Sequence, residues 1–431
     1  MKSIQILFLV ALTGNSLLVS ANQAGDGGNS SPERLMQIFQ SQRASGSIRA
    51  NYYRSSKTFD DSTDFYGVTA QAKALPQFSD KIDGKLEGRI TNSTPNYGAA
   101  NEGRLIEAYA TVHFSKSDLR IGKQIVAWGR ADGINPTDNL TPRDFVILLP
   151  NDDDQRFGTT ALKLDTYLST EHMLTIFTTP YFEPSKIYLP ATGSFVEDRP
   201  ASALSNSQLG IKLNKVGGEA DWSVSYYRGF NLLPDARIVN INVVQPTLEL
   251  HYDRINVFGA DFARNYGRYG FRGEIAYVDT EDVTGTDPGI KNPYLFWVIG
   301  VDRTFFENLN INLQFFDRRV QNYHNPEYIA VPAERAVAIQ NAITGGQQDP
   351  ISNGISFRVG TKWLNDTLEA EIFGILNLTR NDRLIRPLIS YAFSDHLKGI
   401  MGGDFYEGAD NTQFGILKRN QGVFIELRYG L

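Results

Sequence analysis

The sequence predicts an all-β protein, a transmembrane antiparallel up-and-down β-barrel of about 18 strands, with 16 the nearest alternative. Three observations predict it. One apolar run sits at the N-terminus, and nothing after it reaches the roughly 20 apolar residues that a spanning helix needs. Segments of ~9–11 residues alternate apolar and polar side chains, the period of a strand with two unlike faces. The connections between them alternate between short polar turns and long loops, as they must when every hairpin of a barrel has one end on each side of a membrane.

Composition agrees. The 431 residues are 41% hydrophobic and 12% aromatic, with 26 Phe, 20 Tyr and 38 Gly, too apolar for a disordered chain. The net charge of −6 gives no electrostatic footprint for nucleic acid. The absence of cysteine removes disulfides and thiolate metal sites.

The elements follow in chain order. Lys2, the apolar core Ile4–Leu12 and the small residues Val19 and Ala21 ahead of a cleavage point predict an export signal over residues 1–21. Residues 22–45 read as a periplasmic lead. Within it, Ser31-Pro32-Glu33 opens a short helical pattern with Leu35, Ile38 and Phe39 on one face. Residues 46–431 form the barrel.

In Arg104–Phe114, Ile106, Ala108, Ala110 and Val112 share a face against Leu105, Glu107, Tyr109, Thr111 and His113. In Tyr269–Asp279, Ile275 opposes Arg272 and Glu274; in Asn308–Arg318, Phe315 opposes Arg318; Phe357 opposes Arg358. In Leu368–Leu378, Ile372 opposes Glu369 and Glu371. In a soluble sandwich the charged face would look outward. Here the broad apolar face is better explained by lipid outside and water inside. The expected interior set is therefore Glu107, Arg272, Glu274, Arg318, Arg358, Glu369, Glu371, Glu426 and Arg428. Ile106, Ile275, Phe315, Phe357, Ile372 and Leu427 are expected on lipid.

Short turns read at Ser115–Asp118, Ser169–Glu171, Asn214–Ala220, Asn265–Arg268, Glu307–Asn308, Asn365–Asp366 and Ser394–Lys398. Long loops read at Val126–Arg156, Pro180–Asn206, Asn231–Pro246, Thr280–Asn292, Val320–Asn353 and Glu407–Gln421, with Asn381-Asp382 a tight turn on the long-loop side. The count takes Thr247–Arg264 as one long strand. Inside Val320–Asn353, Pro332–Thr344 has helical composition, closed by Gly345-Gly346.

The first of these long loops, Val126–Arg156, is the third external loop of the barrel and, with the strand end before it, the most distinctive stretch. Gly122–Phe145 resembles porin-like outer-membrane families in which a strand ends in Gly-Arg-Gln, followed by Trp-Gly and a loop with Asp and Asn-Pro. The matching positions are Gly122, Gln124, Trp128, Gly129, Asp132, Asn135, Pro136 and Asp138, with Lys123 where Arg is usual. The families in question are a porin-like group found beside RND-type lipid exporters and, distantly, the alginate-export porins. The resemblance implies an outer-membrane channel and fixes no substrate. Independently of it, about 31 residues between two strands exceed any hairpin and mark a functional loop. Such a loop folded inward sets Arg130, Asp132, Asp138, Arg143 and Asp144 at a constriction, with Asp152–Asp154 and Arg156 nearer the mouth. The competing arrangement packs it outward over the rim. Asn151–Gln155 lacks the spacing of a calcium loop and reads as a solvated charge run.

The last strand, Asn420–Leu431, resembles the closing strand that the barrel-assembly machinery of Gram-negative bacteria reads. Gly422, Ile425, Leu427 and Tyr429 carry the match, although the chain ends in Leu431 and not in an aromatic residue.

No cofactor, metal site or enzymatic activity is expected. The five histidines form no close metal pair, and GxSxG, P-loop and dinucleotide patterns are absent. His113-Phe114-Ser115 sets a histidine near a serine, but at a strand end beside a short turn. The functional expectation is an outer-membrane porin-like channel or export component passing small polar solutes or envelope material. The alternative is a non-conducting surface receptor or adhesin barrel acting through its external loops. The expected partners are outer-membrane lipids and lipopolysaccharide, the barrel-assembly machinery, and a periplasmic or inner-membrane export partner, with no nucleic acid.

Overall fold

Alternation over most of the chain organises it into one closed ring of strands. The computed structural model describes residues 43–56, 63–93, 101–147, 149–187, 189, 194–240 and 247–431. The expected export signal and the helical pattern around Leu35, Ile38 and Phe39 lie outside the described residues.

The elements are β1 (Ser45–Ser55), β2 (Asp64–Ala74), the short β3 (Gln77–Ser79), β4 (Ile82–Ser93), β5 (Asn101–His113), β6 (Ser117–Gln124), β7 (Thr159–Tyr167) and β8 (His172–Thr179). Next come β9 (Ser194–Asp198), β10 (Gln208–Lys215), β11 (Asp221–Phe230), β12 (Asp235–Asn240), β13 (Thr247–His251), β14 (Arg254–Tyr266), β15 (Tyr269–Thr280) and β16 (Tyr294–Phe305). β17 (Leu309–Val320), α1 (Pro332–Gly345), β18 (Ile351–Trp363), β19 (Leu368–Asn377), β20 (Asp382–Ala392), β21 (Leu397–Glu407) and β22 (Gly422–Gly430) complete the chain.

The result is a closed antiparallel barrel of 18 strands. Each wall strand pairs with the next, and β22 closes on β1 from Ser47↔Gly430 to Ser55↔Gly422. Closure leaves no unpaired edge, the condition for crossing a bilayer with strands. Large apolar side chains project outward all round the ring, among them Ile48, Val68, Leu162, Ile211, Ile275, Leu313, Ile372 and Leu427. Exposed Phe78, Phe114, Tyr266, Phe306 and Phe393 gather at the short-turn end, as an interfacial aromatic girdle does.

The turns follow the chemistry of their residues. Tyr266 pairs with Tyr269 across the two-residue turn Gly267-Arg268, where Gly267 takes φ +59°. Helix α1 starts at Pro332 and is closed by Gly346 at φ +66°. The Gly346 N–H donates to Ile343 O at 3.3 Å and that of Gln347 to Ala342 O at 2.8 Å.

Two expectations are corrected. Thr247–Arg264 is not one strand, because the chain leaves β13 at Tyr252-Asp253 and re-enters the wall as β14. β13 belongs instead to a separate three-stranded sheet, antiparallel to β12 and parallel to β9, built from long loops outside the ring. The strand count survives because β13 adds no wall strand. The second correction concerns β5. The register shifts where Glu87 faces Glu107 and Gly88 faces Leu105, leaving Ile106 as a bulge. One extra residue reverses the parity, so Leu105 is 45% exposed while Ile106, expected on lipid, is only 4% exposed. Of the other expected lipid positions, Ile275, Ile372 and Leu427 are exposed, and Phe315 and Phe357 are half-buried.

Candidate functional site

The segment between β6 and β7, residues 125–158, is the best-built feature of the molecule, and its signature residues explain why. Gly122 has φ +129° and a backbone pressed against Ala108 O, where no side chain fits. Gln124 is fully buried and donates from Nε2 to Ala161 O at 3.0 Å. Val126 N donates to Thr141 Oγ1 at 2.8 Å, closing the root of the loop. Trp128 packs over Gly210, whose missing side chain leaves room for the indole. Around it, Val126, Trp128 and Leu140 form one buried cluster with Ala161, Phe177, Tyr227, Ile255, Val257, Ala276 and Val278 of β7, β8, β11, β14 and β15. The interior of that wall is thus apolar where the loop docks, which alternation alone did not reveal.

Past Trp128 the loop turns around one carboxylate. Gly129 takes φ +94°, with Asn135 and Glu274 where a side chain would stand. Asn135 Nδ2 donates to Trp128 O at 2.9 Å, and Asn139 Nδ2 donates to Pro136 O at 3.0 Å. Glu274 accepts from the amides of Arg130 and Ala131 on Oε1, and from Thr137 Oγ1 at 3.1 Å and Thr137 N at 3.4 Å on Oε2. Glu274 is an anchor for the loop, with both oxygens occupied.

The charges of the loop fall into three groups. Arg130 pairs with Asp261 of β14 and donates from Nη2 to Asn214 Oδ1 of β10 at 2.6 Å. Asp132 accepts from Arg358 Nε of β18 at 3.0 Å, and Arg358 also pairs with Glu371 of β19. In the second group, Asp138 holds Arg143 at 3.0 Å and Arg156 at 2.6 Å. Asp144 faces Arg104 of β5 at 3.2 Å and accepts from the amides of Val146 and Ile147. Arg143 N donates to Ser185 Oγ at 3.1 Å, tying this group to the next long loop. The third group is the acidic run. Asp152 meets Arg386 of β20 at 2.6 Å, and Asp154 meets Arg49 of β1 at 2.6 Å. Arg89 of β4 donates to Asp154 O at 2.7 Å. Asp153, its side chain 99% exposed, reaches only Arg156 of the same loop, at 3.8 Å. A run expected to be solvated and near the mouth is instead ion-paired to arginines midway along β20 and β1, with its backbone held by a third arginine on β4.

The remaining sequence-predicted residues are placed as follows. Glu107 pairs with Lys85 and accepts from Ile125 N at 2.8 Å, at the loop's root. Arg272 lies 3.4 Å from Asp302. Arg318 donates to Gly345 O at 2.7 Å and Gly346 O at 3.0 Å, so it caps α1. Glu369 reaches Lys398 at 3.6 Å, and buried Glu426 pairs with Arg428 at 2.7 Å. Ile425, Leu427 and Tyr429 are exposed, alternating with these. His113 sits between Asp83 at 3.0 Å and Asp118 at 2.8 Å. Asp261, Arg49, Arg89 and Arg386 carry no local signal of a site in the sequence, and Asn214, expected in a turn, lies in β10. Alternation puts Arg49 opposite Ile48, but no local pattern pairs it with a residue more than a hundred positions away.

The family model described as "Protein of unknown function (DUF1302)" matches residues 40–295, which include the loop and its docking wall. No curated protein matches the sequence. Among solved structures, Acinetobacter baumannii OccAB4 is similar at TM-score 0.55 and 10% identity, covering 90% of this chain and 97% of that one. Acinetobacter baumannii OccAB1 gives 0.53 and 12%, with the same coverage. Pseudomonas aeruginosa OccK5 (OpdH) gives 0.53 and 11%, again covering 90% and 97%. At these identities the likeness is one of fold.

Proposed function

We propose that this chain, which belongs to the DUF1302 family, is an outer-membrane porin-like channel or export component. In this reading small polar solutes or envelope material pass through a charged interior that the long third external loop, between β6 and β7, narrows. One observation carries the proposal. The loop's apolar root docks on β7–β15, while its charged side chains reach β18, β20 and β1 and its backbone meets Arg89 of β4. A segment that bonds to side chains on opposite sides of a closed ring crosses the space inside it; a loop lying over one rim reaches only its neighbours. In this reading the arginines and carboxylates of the loop and of the wall it meets set the field that sorts polar solutes. The finer form, envelope export beside an RND-type exporter, rests on the local resemblance of Gly122–Phe145. Assembly by the barrel-assembly machinery rests on the closing strand Gly422–Tyr429.

A second reading, a non-conducting surface barrel, has in its favour the external sheet β9–β13–β12 and α1. Asn341 of α1 bonds Ala236 N and O, each at 2.9 Å. Planar-bilayer recording of the refolded protein separates the two. The channel reading expects discrete conductance steps, whereas silence at every voltage and salt supports the surface barrel.

A further inference from the structure

The external sheet holds a cluster that the channel reading does not use. Pairing with β9 sets His251 opposite Asp198, and pairing with β12 sets it opposite Asp235. His251 Nδ1 lies 2.8 Å from Asp198 Oδ2, and Nε2 lies 3.4 Å from Asp253 Oδ1. Glu281, just past β15, completes a set with His251 and Asp253 whose ligand atoms all lie within 4.8 Å of one another. A neutral imidazole that donates from Nδ1 to Asp198 has only a lone pair at Nε2. That lone pair faces a carboxylate oxygen, and two acceptors in contact need a proton or a metal ion between them. Asp253 is 1% exposed; no described donor reaches its Oδ2, and the Asp235 carboxyl stands within hydrogen-bonding reach of the same side chain. Arg237 reaches only Oδ1, at 3.4 Å, and Lys291 is engaged by Asp235 at 2.5 Å.

We propose that His251 Nε2, Asp253 and Glu281 bind a divalent metal ion of the zinc class, with Asp198 fixing the imidazole through Nδ1. One imidazole and two carboxylates suit such an ion, and three protein ligands leave a fourth position for water. Two ligands about 2.1 Å from a tetrahedral ion stand about 3.4 Å apart, matching the Nε2–Oδ1 separation. The carboxylate on the far ring nitrogen is the usual support of a metal-bound histidine. The ion ties the end of β13 to the segment after β15, and so fastens the external sheet to the barrel. The ion would be held whether or not the barrel conducts.

The test is calorimetric titration of Zn2+ into the full chain, refolded in detergent and stripped with EDTA, near neutral pH. The expected result is one equivalent bound, weakened about tenfold or more by His251→Ala and by Glu281→Gln. Glu249→Gln and Asp153→Asn leave the affinity unchanged. Glu281 is exposed, so its variant keeps the fold, and the heat-dependent gel shift of folded barrels checks each protein. Absence of Zn2+ binding, equal binding by parent and His251→Ala, or loss in Glu249→Gln but not in Glu281→Gln overturns the assignment.

Discussion

Glu274 is surrounded by loop donors, so its removal has a calculable consequence. Glu274→Ala leaves the amides of Arg130, Ala131 and Thr137 without their acceptor, and each buried unsatisfied donor costs about 1–3 kcal/mol. The expected outcome is protease cleavage within residues 129–137 and noisier current, with the barrel still formed. Gly129→Ala acts at the same place by another route, forcing a side chain into φ +94° against Asn135 and Glu274. On the outer face, Ile372 is 46% exposed to the lipid side. Ile372→Arg there costs about 2–4 kcal/mol near the midplane. Glu369→Gln, which loses only a half-exposed pair with Lys398, costs under about 1 kcal/mol. Equal unfolding free energies for these two variants contradict the facing of β19.

At the scale of the element, the loop of residues 125–158 acts through its charges. Arg130→Ala with Arg143→Ala leaves Asp261 and Asp138 less compensated, so reversal potentials across a salt gradient move toward cation selectivity. Asp132→Asn with Asp138→Asn moves them the other way. Both shifts shrink at high salt, as the Debye length falls from about 10 Å at 0.1 M to about 3 Å at 1 M. Helix α1 is an element with an identifiable fastening. Arg318→Met removes the cap on Gly345 and Gly346, and the expected result is faster proteolysis of residues 332–346 with unchanged barrel content.

For the whole molecule, closure was legible because it rests on a local rule. Each wall strand declares two faces at period two, and each turn declares itself through Gly, Asn and Asp. Failures came where a local rule is overridden. The bulge at Ile106 reverses parity without changing the alternation around it, and β13 looks like the start of β14 until its partners β9 and β12 are known. The site was legible as a signature but not as a set of contacts. Trp128, Gly129 and Asn135 announce a built loop, yet the distance in sequence from Asp132 to Arg358 or from Asp154 to Arg49 hides which walls it touches.

Whether residue 132 lies inside the ring is directly measurable, because the sequence has no cysteine. Asp132→Cys, beside Arg358, is recorded in a planar bilayer while a bulky cationic thiosulfonate reagent is added. Asp410→Cys, on the exposed loop between β21 and β22, serves as the reference. A loop inside the ring gives a stepwise fall in single-channel current at position 132 and none at position 410. Labelling of Asp132→Cys to completion with no change in current would place the loop outside the conducting path and contradict that placement.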